Sequence, residues 1–282
     1  MKKTNNFFVI HNFNTIPTDL LSYCENYIIY DCSNDANIVS KLDSMNLNLI
    51  HIPNTGHNIT SYFSYFDSNY SSLPEVLCIT KGNMLGRHCS KEYFDKVYDN
   101  TFFTYLYENK EDAPRYSKSF SDSSSKSISF LATESQYLEN NNSWYVESPN
   151  HPHKYFDNFD DLLTFIYKKP VIPRYTLFSP GACYILRREQ VTKNTPVFYR
   201  NINKLMNYGL NPSFPSEAHQ IERMLPIIFE SAYEVNEWMN SETLFDEKLL
   251  ERIDYMAKKE AWKSKRFKKF RLMLGEAPDH LK

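Results

Sequence analysis

Glycine is scarce in this chain: 6 residues in 282, where a usual share is roughly 7%. So few glycines leave little room for a glycine-rich phosphate loop, and neither a Gly-x-Gly-x-x-Gly nor a Walker pattern occurs. A Gly-x-Ser-x-Gly elbow, a His-Glu-x-x-His pair and an Asp-x-Asp pair are absent too. These absences argue against a Rossmann oxidoreductase, a P-loop NTPase, an α/β-hydrolase and a zincin. They also give no support to a divalent metal held by an Asp-x-Asp site, and no cofactor is implied. An excess of charge is missing as well. Lys plus Arg total 32 against 34 Asp plus Glu, a formal charge of −2, which argues against a general nucleic-acid binder. No apolar run approaches the ~18 residues needed to cross a membrane. The short run Phe7–Ile10 falls below the roughly 7–15 residues of a signal-peptide core. A cytoplasmic protein is expected. Cys24, Cys32, Cys78, Cys89 and Cys183 are odd in number and contain no CxxC pair, so reduced thiols fit better than a disulfide framework or structural zinc.

What is present is aromatic. The chain carries 21 Tyr and 20 Phe, and 41% of its residues are apolar, enough for a substantial core. In the first third, short apolar runs alternate with helical stretches. Strands are expected at Phe7–Ile10, Tyr27–Tyr30, Leu47–Ile52 and Val76–Thr80, with helices over Thr18–Cys24, Asn34–Leu42 and Thr60–Tyr70. That alternation predicts an α/β fold with a mostly parallel sheet flanked by helices. The Ser-rich stretch 117–129 reads as a mobile loop. Further on, helices are expected over Asp160–Tyr167, from Pro196 to about Asn207, and over Glu217–Phe229. Strands are expected over Tyr175–Ser179 and Ala182–Leu186, around the Pro180-Gly181 turn. The expected organisation is one domain over 1–240 and a basic helical tail over 241–282.

Polar residues gather where these strands end: Asn12 and Asn14, then Asp31, then Thr55-Gly56-His57, then Lys81-Gly82-Asn83. In an open parallel sheet, ligands bind beyond the carboxyl ends of the strands. On that edge Asp31 could accept from a ribose or base, and Lys81 could neutralise a phosphate. Arg87 and His88 follow closely, making three potentially cationic groups suited to a diphosphate, although a solvated loop has the same composition. His219 and Glu222 stand at i, i+3 on one helix, with Glu217 just before, a grouping suited to acid/base work or to a metal. Trp144 could stack on a sugar ring or simply pack. His151-Pro152-His153 could present two imidazoles to a metal, but no carboxylate adjoins it.

A family resemblance rests on five motifs. His11-Asn12-Phe13-Asn14 is similar to an "Arg-Tyr-Asn-Glu" loop. Asn54 to Phe63 resembles "Asn-x-Gly-Arg-Glu-x-His-Thr-Tyr-Leu". Tyr70 to Val76, then Lys81-Gly82-Asn83, resembles "Tyr-x-x-Leu-Pro-Asp" then "Gln-Gly-Asn". Ser179 to Glu189, followed by Pro196 to Tyr199, resembles "Pro-Gly-Ala-x-Phe-x-Val-x-Arg-Glu" then "Pro-x-x-Phe-Tyr". Glu222 to Phe229 resembles "Glu-Arg-Leu-Trp-x-x-Ile-Phe". Together they resemble an uncharacterised bacterial and fungal domain family that is itself similar to GT-A-type glycosyltransferases. The match covers about residues 7–230 and departs at Thr15, Asn58, Thr60 and Lys81, all polar positions.

The resemblance implies a GT-A-like fold and a glycosyltransferase. It would take a nucleotide-sugar donor as substrate and a surface-polysaccharide or lipid-linked glycan as acceptor. The donor would lie near Asn12, Asp31 and Gly56; the acceptor would meet Trp144, Pro180 and Gly181; Glu217 or Glu222 would act as base. The alternative is a non-catalytic protein on the same fold that binds a glycan or a partner. The tail adds one more expectation. Lys258, Lys259, Lys263, Lys265, Arg266, Lys268, Lys269 and Arg271 place eight cations within 14 residues. Phe267, Phe270 and Leu274 fall on one helical face. Such a helix suits an anionic membrane surface, as a peripheral protein. A solvated helix with its aromatic residues packed on the domain is the alternative.

Overall fold

The computed structural model describes residues 3–54, 57–108, 129–133, 136–140, 154–206 and 216–273, with side chains for all of these except 57, 129–140, 216 and 267–273. The strands are β1 (Thr4–Asn12), β2 (Cys24–Asp31), β3 (Leu49–His51), β4 (Val76–Lys81), β5 (Thr104–Tyr105), β6 (Ser129–Thr133), β7 (Gln136–Asn140), β8 (Tyr175–Phe178) and β9 (Tyr184–Arg187). The α-helices are α1 (Thr18–Leu21), α2 (Ala36–Ser44), α3 (His57–Ser68), α4 (Lys91–Val97), α5 (Phe159–Ile166), α6 (Arg188–Thr192), α7 (Pro196–Met206), α8 (Ser216–Glu230) and α9 (Glu242–Met273).

The main sheet runs β3-β2-β1-β4-β9-β5. Its first four strands are parallel, as the alternating sequence pattern predicts. β9 then enters antiparallel to β4, with β5 antiparallel to β9. The sheet is therefore mixed, which corrects the mostly parallel expectation. The two strands expected around Pro180-Gly181 also part company: β9 joins the main sheet, while β8 pairs with β7 in a second sheet of order β6-β7-β8. A turn between two apolar runs reads as a hairpin locally, but partners far along the chain decide the pairing.

Alternate residues of the central strands face opposite layers. Val9, Leu77, Ile79, Tyr184 and Leu186 pack with α3, α5, α7 and α8 in one core. Phe8, Ile10, Cys78, Cys183 and Ile185 pack against Leu20, Tyr23, Met84 and Phe94 in the other. Aromatic rings fill the larger core. Tyr199 meets Phe63 at 5.0 Å and Phe66 at 5.2 Å, both edge to face, a geometry that ring quadrupoles favour. The first half of α9 belongs to this core, since Phe245 and Leu249 are buried in it. Arg252 of α9 donates to the Tyr155 carbonyl and pairs with Asp161. Among the described residues no helix is long and apolar enough to cross a membrane.

Candidate functional site

The strand order reverses between β1 and β4: β2 and β3 lie to one side of β1, β4 to the other. Ligands of open α/β sheets bind at such a switch point, beyond the carboxyl ends of the strands. β1 ends there on Asn12, which is fully buried. Its Nδ2 donates to the Thr15 carbonyl at 2.9 Å and to Asp31 Oδ1 at 2.8 Å, while its Oδ1 accepts from Thr15 Oγ1 at 2.6 Å. Gly82 lies on top of this amide. A Cβ at Gly82 would come 2.2 Å from Asn12 Oδ1, so only glycine lets the turn after β4 close over β1.

Asp31 is equally enclosed, at 1% exposure. Its carboxylate accepts from Asn12, from Ser33 Oγ at 2.6 Å and lies 3.0 Å from His51 Nδ1. That leaves it no face toward a ribose: it orients Asn12, a positioning role in place of the direct contact expected from the sequence. Asn14 serves similarly. It has φ +49°, donates through Nδ2 to Asn34 Oδ1, and accepts at Oδ1 from the backbone N–H groups of Asn34 and Asp35. These residues brace the loops after β1 and β2.

The groups left to meet a ligand come from the other side of the switch point. Lys81 ends β4, and among the described residues no carboxylate lies within ion-pair distance of it. Asn83 sits in the same turn. Arg87 is exposed beyond it. His88 is largely enclosed; burial, reinforced by the charges of Lys81 and Arg87, pulls its pKa down to about 3. It is therefore neutral at physiological pH, so the expected three cations are two. His88 packs on Gly181, and its Nε2 has no hydrogen-bond partner.

Gly181 links α8 and α3. Its N–H donates to Glu222 Oε1 of α8 at 2.8 Å, and its carbonyl accepts from Asn58 Nδ2 of α3 at 2.7 Å. Glu222 is balanced by Arg223, whose Nη1 lies 3.3 Å from Oε2 and whose guanidinium covers the Phe178 ring. Cys183 lies between these groups: its thiol donates to the Gly181 carbonyl at 3.2 Å, and both Lys81 and Glu222 act on it electrostatically. Burial raises its pKa to about 12, so it remains a neutral thiol. All five cysteines are free and buried, as a reduced set was expected to be.

Lys81, Arg87, His88, Pro180, Gly181 and Glu222 are thus brought to one edge, beside the Asn12–Asp31 brace. Glu217 is not with them. It is fully buried, and its Oε1 accepts from the backbone N–H groups of Lys154 and Tyr155, both at 2.9 Å. A carboxylate enclosed in that way fastens the start of α8 to the chain before α5, which corrects its expected role as a base. His219 lies one turn before Glu222, half-buried, with its carbonyl accepting from Arg223. Thr55, Gly56, the side chain of His57, Trp144, His151 and His153 lie outside the described residues. Nothing in the local sequence pattern singles out His51, Arg223 or the bond from Asn58 to Gly181. Only the long-range packing marks these three.

Comparison with family models, with curated proteins and with solved structures finds no match to this chain.

Proposed function

We propose that the protein is a glycosyltransferase of GT-A-like fold, binding a nucleotide-sugar donor at the switch point between β1 and β4. The observation that carries this reading is the pairing of two unneutralised cations, Lys81 and Arg87, with the carboxylate of Glu222 across the Gly181 turn. Transfer of a sugar needs both ends of that arrangement. The departing nucleoside diphosphate gains negative charge, which Lys81 and Arg87 stabilise. The acceptor hydroxyl loses a proton as it attacks the anomeric carbon, and Glu222 takes that proton. His88, neutral and with an open Nε2, contributes a hydrogen bond rather than a charge. The parallel order β3-β2-β1-β4 supports the nucleotide side of the reading, since that order and its switch point are shared with dinucleotide-binding sheets.

The acceptor in this reading is a surface-polysaccharide or lipid-linked glycan, met by the Pro180-Gly181 turn. The cationic end of α9 would hold the protein against an anionic membrane. Lys258, Lys259 and Lys263 are paired with Asp254, Asp157 and Glu260, while Lys265 and Arg266 are exposed and have no carboxylate partner among the described residues. The test is a thermal-shift panel of UDP-, GDP-, CMP- and TDP-sugars. A donor at 100 times its Kd adds about 2.7 kcal/mol of stability. A response to one nucleotide class, accompanied by slow release of the nucleoside diphosphate, supports the enzyme. A response to free glycans alone supports the binding-protein alternative.

A further inference from the structure

A cavity of about 460 Å³ opens on the opposite edge of the main sheet from the candidate site. β9 runs antiparallel to β4, so its end at Arg187 lies beside Val76, where β4 begins. α6 follows directly and delivers Lys193 to that edge. The cavity is lined by Tyr167, Lys193, Asn194, Ser231, Tyr233 and Glu234, among others.

Its polar groups are unevenly satisfied. The loop carbonyls are occupied: Val191 O accepts from Tyr199, and Thr192 O and Asn194 O both accept from Tyr70. The carboxylate of Glu234 is held by Lys168, and that of Glu230 by Gln190. Asn194, Thr195 and Tyr233 also spend their side-chain donors within the protein, but two hydroxyls are not occupied. Tyr167 is 2% exposed, yet its hydroxyl has no partner, and neither does the buried hydroxyl of Ser231. Lys193 Nζ touches only the Ser231 carbonyl, at 2.7 Å, and no carboxylate lies within ion-pair distance among the described residues. Partial burial, opposed by the nearby Glu230 carboxylate, lowers the Lys193 pKa to about 8, which leaves it mostly charged at neutral pH. A buried hydroxyl left without a partner is destabilising, so two of them beside an ammonium make a site short of an acceptor.

We propose that this cavity binds a small oxyanion, the carboxylate or phosphate group of a compact organic acid, through Lys193, Tyr167 and Ser231. The volume fits the lower range of small-molecule sites and leaves room for the body that carries the anion. The site is separate from the donor edge and stands independently of the glycosyltransferase reading.

The experiment measures the melting temperature of the full chain against inorganic phosphate and against pyruvate, with sodium chloride at matched ionic strength as control. Tyr167→Phe removes an unpartnered hydroxyl, so the variant folds with equal or greater stability, and Lys193→Gln and Ser231→Ala test the other donors. The expected result is a saturable rise with phosphate, pyruvate or both, weakened at least tenfold in Y167F and S231A and lost in K193Q. Any response to sugar nucleotides should persist unchanged in Y167F. Absence of a rise beyond the chloride control, or equal rises in wild type and all three variants, would overturn the proposal.

Discussion

The imidazole of His88 occupies the space that a side chain at Gly181 would need: a Cβ there would lie 2.7 Å from Nε2. Gly181 also has φ +91°, a conformation that other residues adopt only under strain. Gly181→Ala is therefore expected to lower stability by about 1–3 kcal/mol, through backbone strain and displacement of His88. Urea denaturation measures this directly, and an unchanged midpoint would show that the turn relaxes freely.

His88 also makes stability depend on pH. Unfolded, it titrates near 6.5; folded, at about 3. Between those values the unfolded chain holds a proton that the folded protein does not, so stability falls as pH drops below 6.5. From pH 7 to 5 the contribution is about 1–2 kcal/mol. His51 works in the other sense: its bond to Asp43, with help from Asp31, raises its pKa, so its contribution is lost as pH rises. Urea midpoints at pH 7 and 5 should differ less in His88→Gln than in wild type. An equal loss in both would place the acid sensitivity elsewhere.

Two of the three carboxylates of α8, Glu217 and Glu222, are expected to separate function from structure. Glu222→Gln keeps an acceptor for the Gly181 N–H but cannot take a proton. It should slow nucleoside diphosphate release by 10²–10⁴-fold, the range typical of a general base, with donor binding retained. Glu217→Gln should leave the rate per folded molecule intact and cost about 1–3 kcal/mol in a melt or denaturant titration, because it weakens bonds to two buried backbone donors. A rate loss confined to Glu217→Gln would reverse the assignment.

Much of the scaffold was legible in the sequence. Apolar runs bounded by polar punctuation marked β1, β2 and β4 within a few residues of their true ends, because buried parallel strands leave continuous apolar signals, and marked β3 as well although it is an exposed edge strand. β9 was found as a strand but not as the antiparallel neighbour of β4, since nothing local states its partner. The site divides the same way. Lys81, His88 and Gly181 stood out by type and position. The sequence could not tell that Glu217 is fully buried while Glu222 stays partly exposed, nor that Asp31 is saturated by Asn12, Ser33 and His51. Those distinctions depend on segments that meet only in the fold.

The basic end of α9 offers a separate test. Removing residues 258–282 should release the protein from anionic liposomes at low salt while leaving it folded, since the buried residues Phe245 and Leu249 stay in place. Each cation near the headgroups contributes about 1 kcal/mol, so the loss is large enough to read by co-sedimentation. Equal sedimentation of full-length and shortened chains would refute membrane attachment through this helix.

The proposed site places a nucleotide-sugar at the edge between β1 and β4. Backbone hydrogen exchange, read by mass spectrometry with and without the donor that raises the melting temperature, tests it most directly. A donor bound there slows exchange in peptides covering 81–89 and 181–183, and that protection is expected to be lost when Lys81→Ala and Arg87→Ala are combined. Donor-induced protection confined to other segments, or no protection with any of the four nucleotide classes, would contradict it.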